Sequence, residues 1–249
     1  TEAYFISHGD TQYIILIPGS VQECFEFGWR ALDIAEKFQT PVIVMSDLDL
    51  GMNQWMTRKF EYPEEPIQRG KVLWEEDLEK LLAERNGDWG RYLDIDGDGI
   101  PYRTVAGNRH PRSAYFTRGT GHDAYGRYSE DPVIWEQTMN RLAKKMVTAK
   151  NQLPKPEIFS ANASIGIISS GSADPAVVEA RDLLARQGVQ TDYLRIRAIP
   201  FSDEVYEFIN QHERNYVVEL NRDGQLMQIL ALNMPSRCTT MKKVAHTDG

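Results

Sequence analysis

Residues 11–56, TQYIILIPGSVQECFEFGWRALDIAEKFQTPVIVMSDLDLGMNQWM, leave this chain few ways to fold. Residues 13–17 are a short apolar run rich in β-branched side chains, as expected of a strand covered on both faces. Pro18-Gly19 stops it. Ser20 with Glu23 three residues later marks a helix start: the hydroxyl accepts an amide of the first turn, and the carboxylate reaches back to the cap. Val21, Cys24, Phe25, Gly28, Ala31, Leu32 and Ala35 follow at helical spacing and predict the apolar face. Residues 41–45 read as a second buried strand. Two apolar strands joined by a helix make a right-handed βαβ unit in a parallel sheet. Ligands of such sheets bind beyond the carboxyl ends of the strands. That places Ser46, Asp47, Asp49 and Asn53 at the functional edge, with Asp47, Asp49 and Asn53 as candidates for holding a cofactor. Two acids at a strand end also serve simply to order a solvated loop.

The texture changes after residue 57. Residues 58–157 are polar, rich in Gly and Pro, and carry two helical patterns, at 72–84 and 132–153. Asp131 caps the second, Pro132 opens it, and Lys144, Lys145 and Lys150 gather in its C-terminal half, where the helix dipole favours cations. The long irregular segment between them is expected to be functional or interfacial. From residue 158 strands and helices alternate again. Strands are expected at 164–169, 191–197 and 215–220, and helices at 174–187, 202–211 and from 225. The fold class is therefore α/β: two parallel-sheet βα units, residues 1–57 and 158–249, joined by a long irregular excursion.

At 249 residues the chain has room for a sizeable core. Its net charge of −8 and lack of a basic run speak against a nucleic-acid surface. No apolar run reaches a membrane span, and no signal peptide opens the sequence. The 2 cysteines, Cys24 and Cys238, fit a reducing cytoplasm and are too few to hold an iron–sulfur cluster. Both ends look cut, as in a fragment of a longer polypeptide.

Five further stretches carry chemical possibilities. Asp94, Asp96, Asp98 and Gly99 match the opening of a calcium loop, but Val105 stands where a bidentate Glu is needed, and Pro101 stiffens the loop. An Asp/Gly turn capping its own backbone is the simpler reading. The segment 117–126, TRGTGHDAYG, interleaves Arg118, His122, Asp123 and Tyr125 with glycines. It is either an interface loop or a substrate loop. His122 beside Asp123 could pair a base with an orienting carboxylate, although neighbours seldom face each other so. Ser169-Ser-Gly-Ser172 joins a strand to a capped helix, a place for phosphate or merely a tight turn. Glu219, Asn221 and Gln225 follow a strand end and either meet a ligand or yield to Asp223 as the cap of the next helix. His8-Gly9-Asp10 reads as a turn before the first strand. Neither a catalytic triad nor a zinc-type ligand set appears, and no catalytic residue is assigned.

PGSVQECFEFGWRALDIAEKFQTPVIVMSDLDLGMNQWM resembles the second half of the pyrimidine-binding domain of 2-oxoacid:ferredoxin oxidoreductase α subunits, the 2-oxoglutarate synthase type in particular. His122, Asp123, Gly126, Glu130, Asp131 and Pro132 match that family's His-Asp-x-x-Gly and Glu-Asp-Pro elements. Residues 217–230, VVELNRDGQLMQIL, resemble its Val-Glu-Leu-Asn-x-x-Gly-Gln element in the transketolase C-terminal-like domain. The resemblance implies a partial pyrimidine domain at 1–57, a linker at 58–157 and an incomplete transketolase C-terminal-like domain at 158–249. It implies oxidative decarboxylation of a 2-oxoacid, with 2-oxoglutarate favoured, on thiamine diphosphate and magnesium, with [4Fe-4S] clusters, ferredoxin and coenzyme A. The diphosphate, magnesium and cluster ligands would belong to a β subunit. The α subunit would supply the pyrimidine side, and its N-terminal part, with the loops that hold substrate, is missing here. On that reading this chain alone holds no cofactor and is inactive. The competing readings are a non-catalytic interaction module and, more remotely, a calcium-binding module.

Overall fold

The computed structural model describes residues 1–117 and 121–245. The first unit holds α1 (Glu2–Phe5), β1 (Ile14–Leu16), α2 (Val21–Phe38), β2 (Val42–Val44) and α3 (Leu48–Met52). β1 and β2 pair in parallel, as a βαβ unit requires. β1 is buried on both sides because its alternate side chains serve two cores. Ile14 and Leu16 meet Phe27 and Phe38 of α2 and Met146 and Ala149 of α5 (Pro132–Lys150). Ile15 points the other way, into a core shared with the second unit. The helix α5, which the sequence reading assigns to the linker, is thus built into the first core.

The sequence pattern misplaces the buried face of α2. The stripe facing the sheet is Glu23, Phe27, Ile34 and Phe38. Leu32 is 58% exposed, and Gly28 faces open space. The true stripe begins with an acid, which a search for apolar periodicity discounts. Phe25, on the expected face, is covered instead by a loop: it stacks on Phe60 at 4.6 Å and meets Tyr62 edge-on.

In the middle region, α4 (Glu75–Glu84) builds a small core of its own from Leu73, Leu78, Leu82 and Trp89. Asp131 caps α5 as expected, accepting the Val133 amide at 2.8 Å.

The second sheet runs in the order β3-β5-β4-β7-β8: β3 (Glu157–Phe159), β4 (Ile165–Ser170), β5 (Asp192–Ile196), β7 (Arg214–Glu219) and β8 (Met241–Ala245). All its pairings are parallel except β3 with β5. Helices α6 (Asp174–Arg186), α7 (Asp203–Gln211) and α8 (Gln225–Asn233) connect its strands. The strand expected at 191–197 breaks near Arg197. Its continuation, β6 (Ala198–Ile199), crosses to the first sheet and pairs antiparallel with β1. The two sheets stay separate, yet one chain segment serves both. The sequence reading also stops short of β8, whose exposed Lys242 and Lys243 disguise an edge strand and blunt it against further pairing.

Candidate functional site

A cleft of about 280 Å³ opens where the carboxyl ends of β1, β2, β4 and β7 converge. It collects Asp47 and Asp49 from the first unit and Glu219, Asn221 and Gln225 from the second. Asn53 is exposed at the end of α3 and does not line it. Two groups of candidates that are unrelated in sequence therefore share one site.

Each acid in the cleft has structural work. Asp47 caps α3 by accepting the Leu50 amide at 3.0 Å, and its second oxygen accepts the Ser172 amide at 2.6 Å. The strand-to-helix turn at 169–172, a candidate for phosphate, thus receives an anion from its own chain. Gly171 is needed there: its φ is +64°, and a Cβ would lie 2.4 Å from Asp47 Oδ2. Asp49 accepts the Ser172 hydroxyl at 3.3 Å. Glu219 is buried and accepts the amides of Leu226 and Met227 at 2.7 and 3.0 Å and the Asn221 side-chain amide at 2.8 Å. Asn221 in turn accepts the Gln225 amide, and Gln225 accepts from Thr1. Glu219 and Asn221, rather than Asp223, start α8; Asp223 pairs with Arg222.

Among the described residues, those lining this cleft include three carboxylates and no Lys, Arg or His. A diphosphate finds no cationic partner there, and the acids have little spare capacity for a metal. The apolar Ile17, Met45, Leu48 and Leu220, with Ser46 and Asn221, do suit a flat neutral ring that hydrogen-bonds along one edge. The donor set fits the pyrimidine end of thiamine diphosphate and not its phosphate end.

The other candidates lie elsewhere. His122 does not pair with the Asp123 carboxylate. Its Nδ1 lies 3.0 Å from the Asp123 carbonyl, and its ring stacks on Tyr92 at 3.9 Å. Asp123 accepts the amides of Tyr125 and Arg127, both at 2.9 Å, and so shapes the turn. The Tyr125 hydroxyl donates to Asp88 at 2.9 Å, and that bond raises its pKa while the same bond lowers that of Asp88. Arg118 lies outside the described residues. At the Asp/Gly turn the Lys71 ammonium stands 2.7 Å from Asp96 and 2.8 Å from Asp98, and it also reaches the Ile100 carbonyl. Burial alone would lower the Lys71 pKa; its bonds to the two carboxylates outweigh that and raise it. Asp94 lies 4.0 Å from Lys144.

Sequence reasoning misses the joint beside the cleft. Glu23 does not return to the Ser20 amide; it accepts the Gly19 amide at 2.7 Å. It then takes both terminal nitrogens of Arg195 at 2.7 and 2.9 Å and Arg197 at 2.7 Å. Burial pushes the Glu23 carboxyl up, but the Arg195 and Gly19 hydrogen bonds and the two arginine charges outweigh it and leave its pKa below the ordinary value. Gly19 is required by close approach, since a Cβ would stand 2.2 Å from Arg195 Nη1. A signal did exist: a charged residue in the middle of an otherwise apolar strand needs a buried partner.

Comparison with known proteins bears on this architecture. A family model described as pyruvate flavodoxin/ferredoxin oxidoreductase, thiamine diphosphate-binding, matches residues 1–80. The α subunit of 2-oxoacid:ferredoxin oxidoreductase 2 from Aeropyrum pernix is 31% identical over 234 residues, covering 91% of this chain and 34% of that protein. The chain belongs to the 2-oxoacid:ferredoxin oxidoreductase α-subunit family. Members of that family are subunits of enzymes. A 2-oxoglutarate synthase subunit KorA from Methanothermobacter marburgensis is 30% identical over 225 residues, 88% of this chain and 56% of that protein. The chain thus spans between about a third and just over half of these relatives. A 2-oxoglutarate:ferredoxin oxidoreductase from Magnetococcus marinus, solved with 2-oxoglutarate, coenzyme A and succinyl-CoA bound, shares the fold. Its TM-score is 0.78 over 98% of this chain and 41% of that one, at 22% identity. Among the described residues no helix is long and apolar enough to cross a membrane.

Proposed function

We propose that this chain works as part of the α subunit of a thiamine-diphosphate-dependent 2-oxoacid:ferredoxin oxidoreductase, with 2-oxoglutarate as the favoured substrate and coenzyme A as acyl acceptor. The observation that carries this reading is the 31% identity across 91% of the chain to an α subunit of that name. The KorA relatives and the Magnetococcus marinus enzyme support the choice of 2-oxoglutarate.

Within that reading, residues 1–57 contribute half of a pyrimidine-binding domain, residues 158–249 form the transketolase C-terminal-like domain, and 58–157 connect them. The cleft walls around Ser46 and Asn221 face the pyrimidine. Asp47 and Asp49 hold the edge in place by fastening β2 and α3 to the turn before α6. Asn53 faces the cofactor only if a partner subunit carries the site beyond the cleft. Thiamine diphosphate, when bound, supplies an electron sink for the carbanion left as the 2-oxoacid loses carbon dioxide. The diphosphate and magnesium ligands come from a β subunit, since the described residues of the cleft offer no cation. The [4Fe-4S] cluster that passes electrons to ferredoxin is also held outside this chain, whose Cys24 and Cys238 are too few. The complex works in the cytoplasm.

The test is reconstitution with the N-terminal part of the α subunit and a β subunit. Reduction of a viologen dye that requires both a 2-oxoacid and coenzyme A is expected, with the highest kcat/KM for 2-oxoglutarate. An assembled complex that fails to reduce the dye with any 2-oxoacid supplied would contradict the proposal.

A further inference from the structure

Away from the cleft, and sharing no lining residue with it, a second pocket of about 340 Å³ lies between α5 and the loop around residue 91. Three cations converge on it: Arg91, Arg141 and Lys145. Lys145 is only 5% exposed, and its ammonium reaches one neutral acceptor, the Gln39 carbonyl, at 3.1 Å. Arg141 donates to the Gly99 carbonyl at 3.1 Å. Arg91 donates through Nε to the Tyr115 hydroxyl at 3.2 Å and lies over the Tyr92 ring at 4.9 Å, while its buried Nη1 has no hydrogen-bond partner among the described residues. Among the described residues, no carboxylate comes within ion-pair distance of any of the three.

Like charges gathered out of water without a counter-charge repel one another, and a buried donor without an acceptor is rare in native proteins. The titration of the cluster shows the same frustration. Burial first, and then the charges of Arg141 and Arg91, push Lys145 down to about 8. Burial and Arg91 lower Arg141 as well, while Asp94 offsets part of that. His8, Tyr92 and His122 are the other titratable groups on the wall. Part of the remaining wall is aromatic, the His122 ring stacked on Tyr92 and Trp135, and Met139 and Leu142 add to its apolar surface. Convergent donors beside flat apolar rings are the build of a small-molecule site.

We propose that this pocket binds the oxyanion group of a small molecule between Arg91, Arg141 and Lys145, with the ligand's body against the Tyr92–His122 pair and Trp135. An oxyanion there supplies the missing counter-charge and an acceptor for Arg91 Nη1. Phosphate and carboxylate share this chemistry, and the test separates them.

The test is calorimetry on the protein with inorganic phosphate and with glutarate, in two buffers of different ionisation enthalpy at mildly alkaline pH. Saturable one-to-one binding of at least one probe, millimolar or tighter, is expected. The tighter probe tells a phosphate-bearing ligand from a dicarboxylate. Binding should take up protons, because the anion returns the fraction of neutral Lys145 to its charged form. Lys145→Met and Arg91→Met should each weaken binding by about tenfold or more. Lys145→Met should melt no lower than the parent, since it removes an uncompensated charge; a purely structural lysine would lower the melting temperature. Absence of saturable heat with either probe overturns the proposal, as does undiminished affinity in both variants.

Discussion

The two pockets carry opposite charge and opposite degrees of satisfaction. In the cleft between the sheets, Asp47, Asp49 and Glu219 are bound by amides and a hydroxyl of their own chain. In the pocket beside α5, Lys145 and Arg141 donate to backbone carbonyls, Arg141 lies over the Tyr92 ring at 5.8 Å, and Arg91 keeps a buried nitrogen without a hydrogen-bond partner among the described residues. The carboxylates of the cleft therefore read as fasteners that give a neutral wall its shape. The cations beside α5 read as a site with a vacancy for charge. Residue type alone would have ranked the two alike, and satisfaction separates them.

The contrast is tested first at the joint beside the cleft. Glu23→Ala leaves the buried Arg195 with Glu157 as its remaining close carboxylate and the half-buried Arg197 with none among the described residues, and should cost about 3 kcal/mol in denaturant unfolding. Because the folded pKa of Glu23 lies below its ordinary value, its contribution is present above the unfolded pKa and is lost as pH falls through the folded one. The variant should accordingly lose part of the parent's acid-limb destabilisation. Asp47→Ala removes the cap of α3 and the acceptor for Ser172, and a loss of about 2 kcal/mol is expected. A change within experimental error at Asp47 would mean that its carboxylate is free for a ligand.

A smaller effect is expected at the His122 loop. Asp123→Ala removes the acceptor of two turn amides, worth about 1 kcal/mol. In the reconstituted complex it should weaken turnover mainly through assembly, which subunit titration alongside rate measurement will separate. Turnover that collapses in an intact complex would give the loop a substrate contact. The smallest effect belongs to the Asp/Gly turn. With Lys71 between Asp96 and Asp98, calcium should bind no more tightly than about millimolar by calorimetry, and Lys71→Ala should improve on that.

Much of the backbone plan is written in local sequence: the β1–α2–β2 unit, the Asp131-Pro132 start of α5 and the alternation after residue 158 all follow from apolar runs and caps. What escapes is set by distant partners. Glu23 meets Arg195 at a separation of 172 residues, so the apolar pattern of α2 points to the wrong face. The break between β5 and β6 depends on β1 being there to pair with. The cleft candidates were each placed at a strand end by a general rule, but their meeting depends on how the two sheets face. The cation pocket left no motif, because Arg91, Arg141 and Lys145 lie on elements that only the tertiary fold brings together.

The most direct measurement of the central claim is a titration of this chain with thiamine diphosphate and magnesium, alone and in the complex with the rest of the α subunit and a β subunit. A cleft whose described residues include no cation should give no tight binding by the chain alone and saturable binding once the partners are present. Micromolar binding by the chain alone would contradict it, and would place diphosphate ligands among residues to which this account gives only structural work.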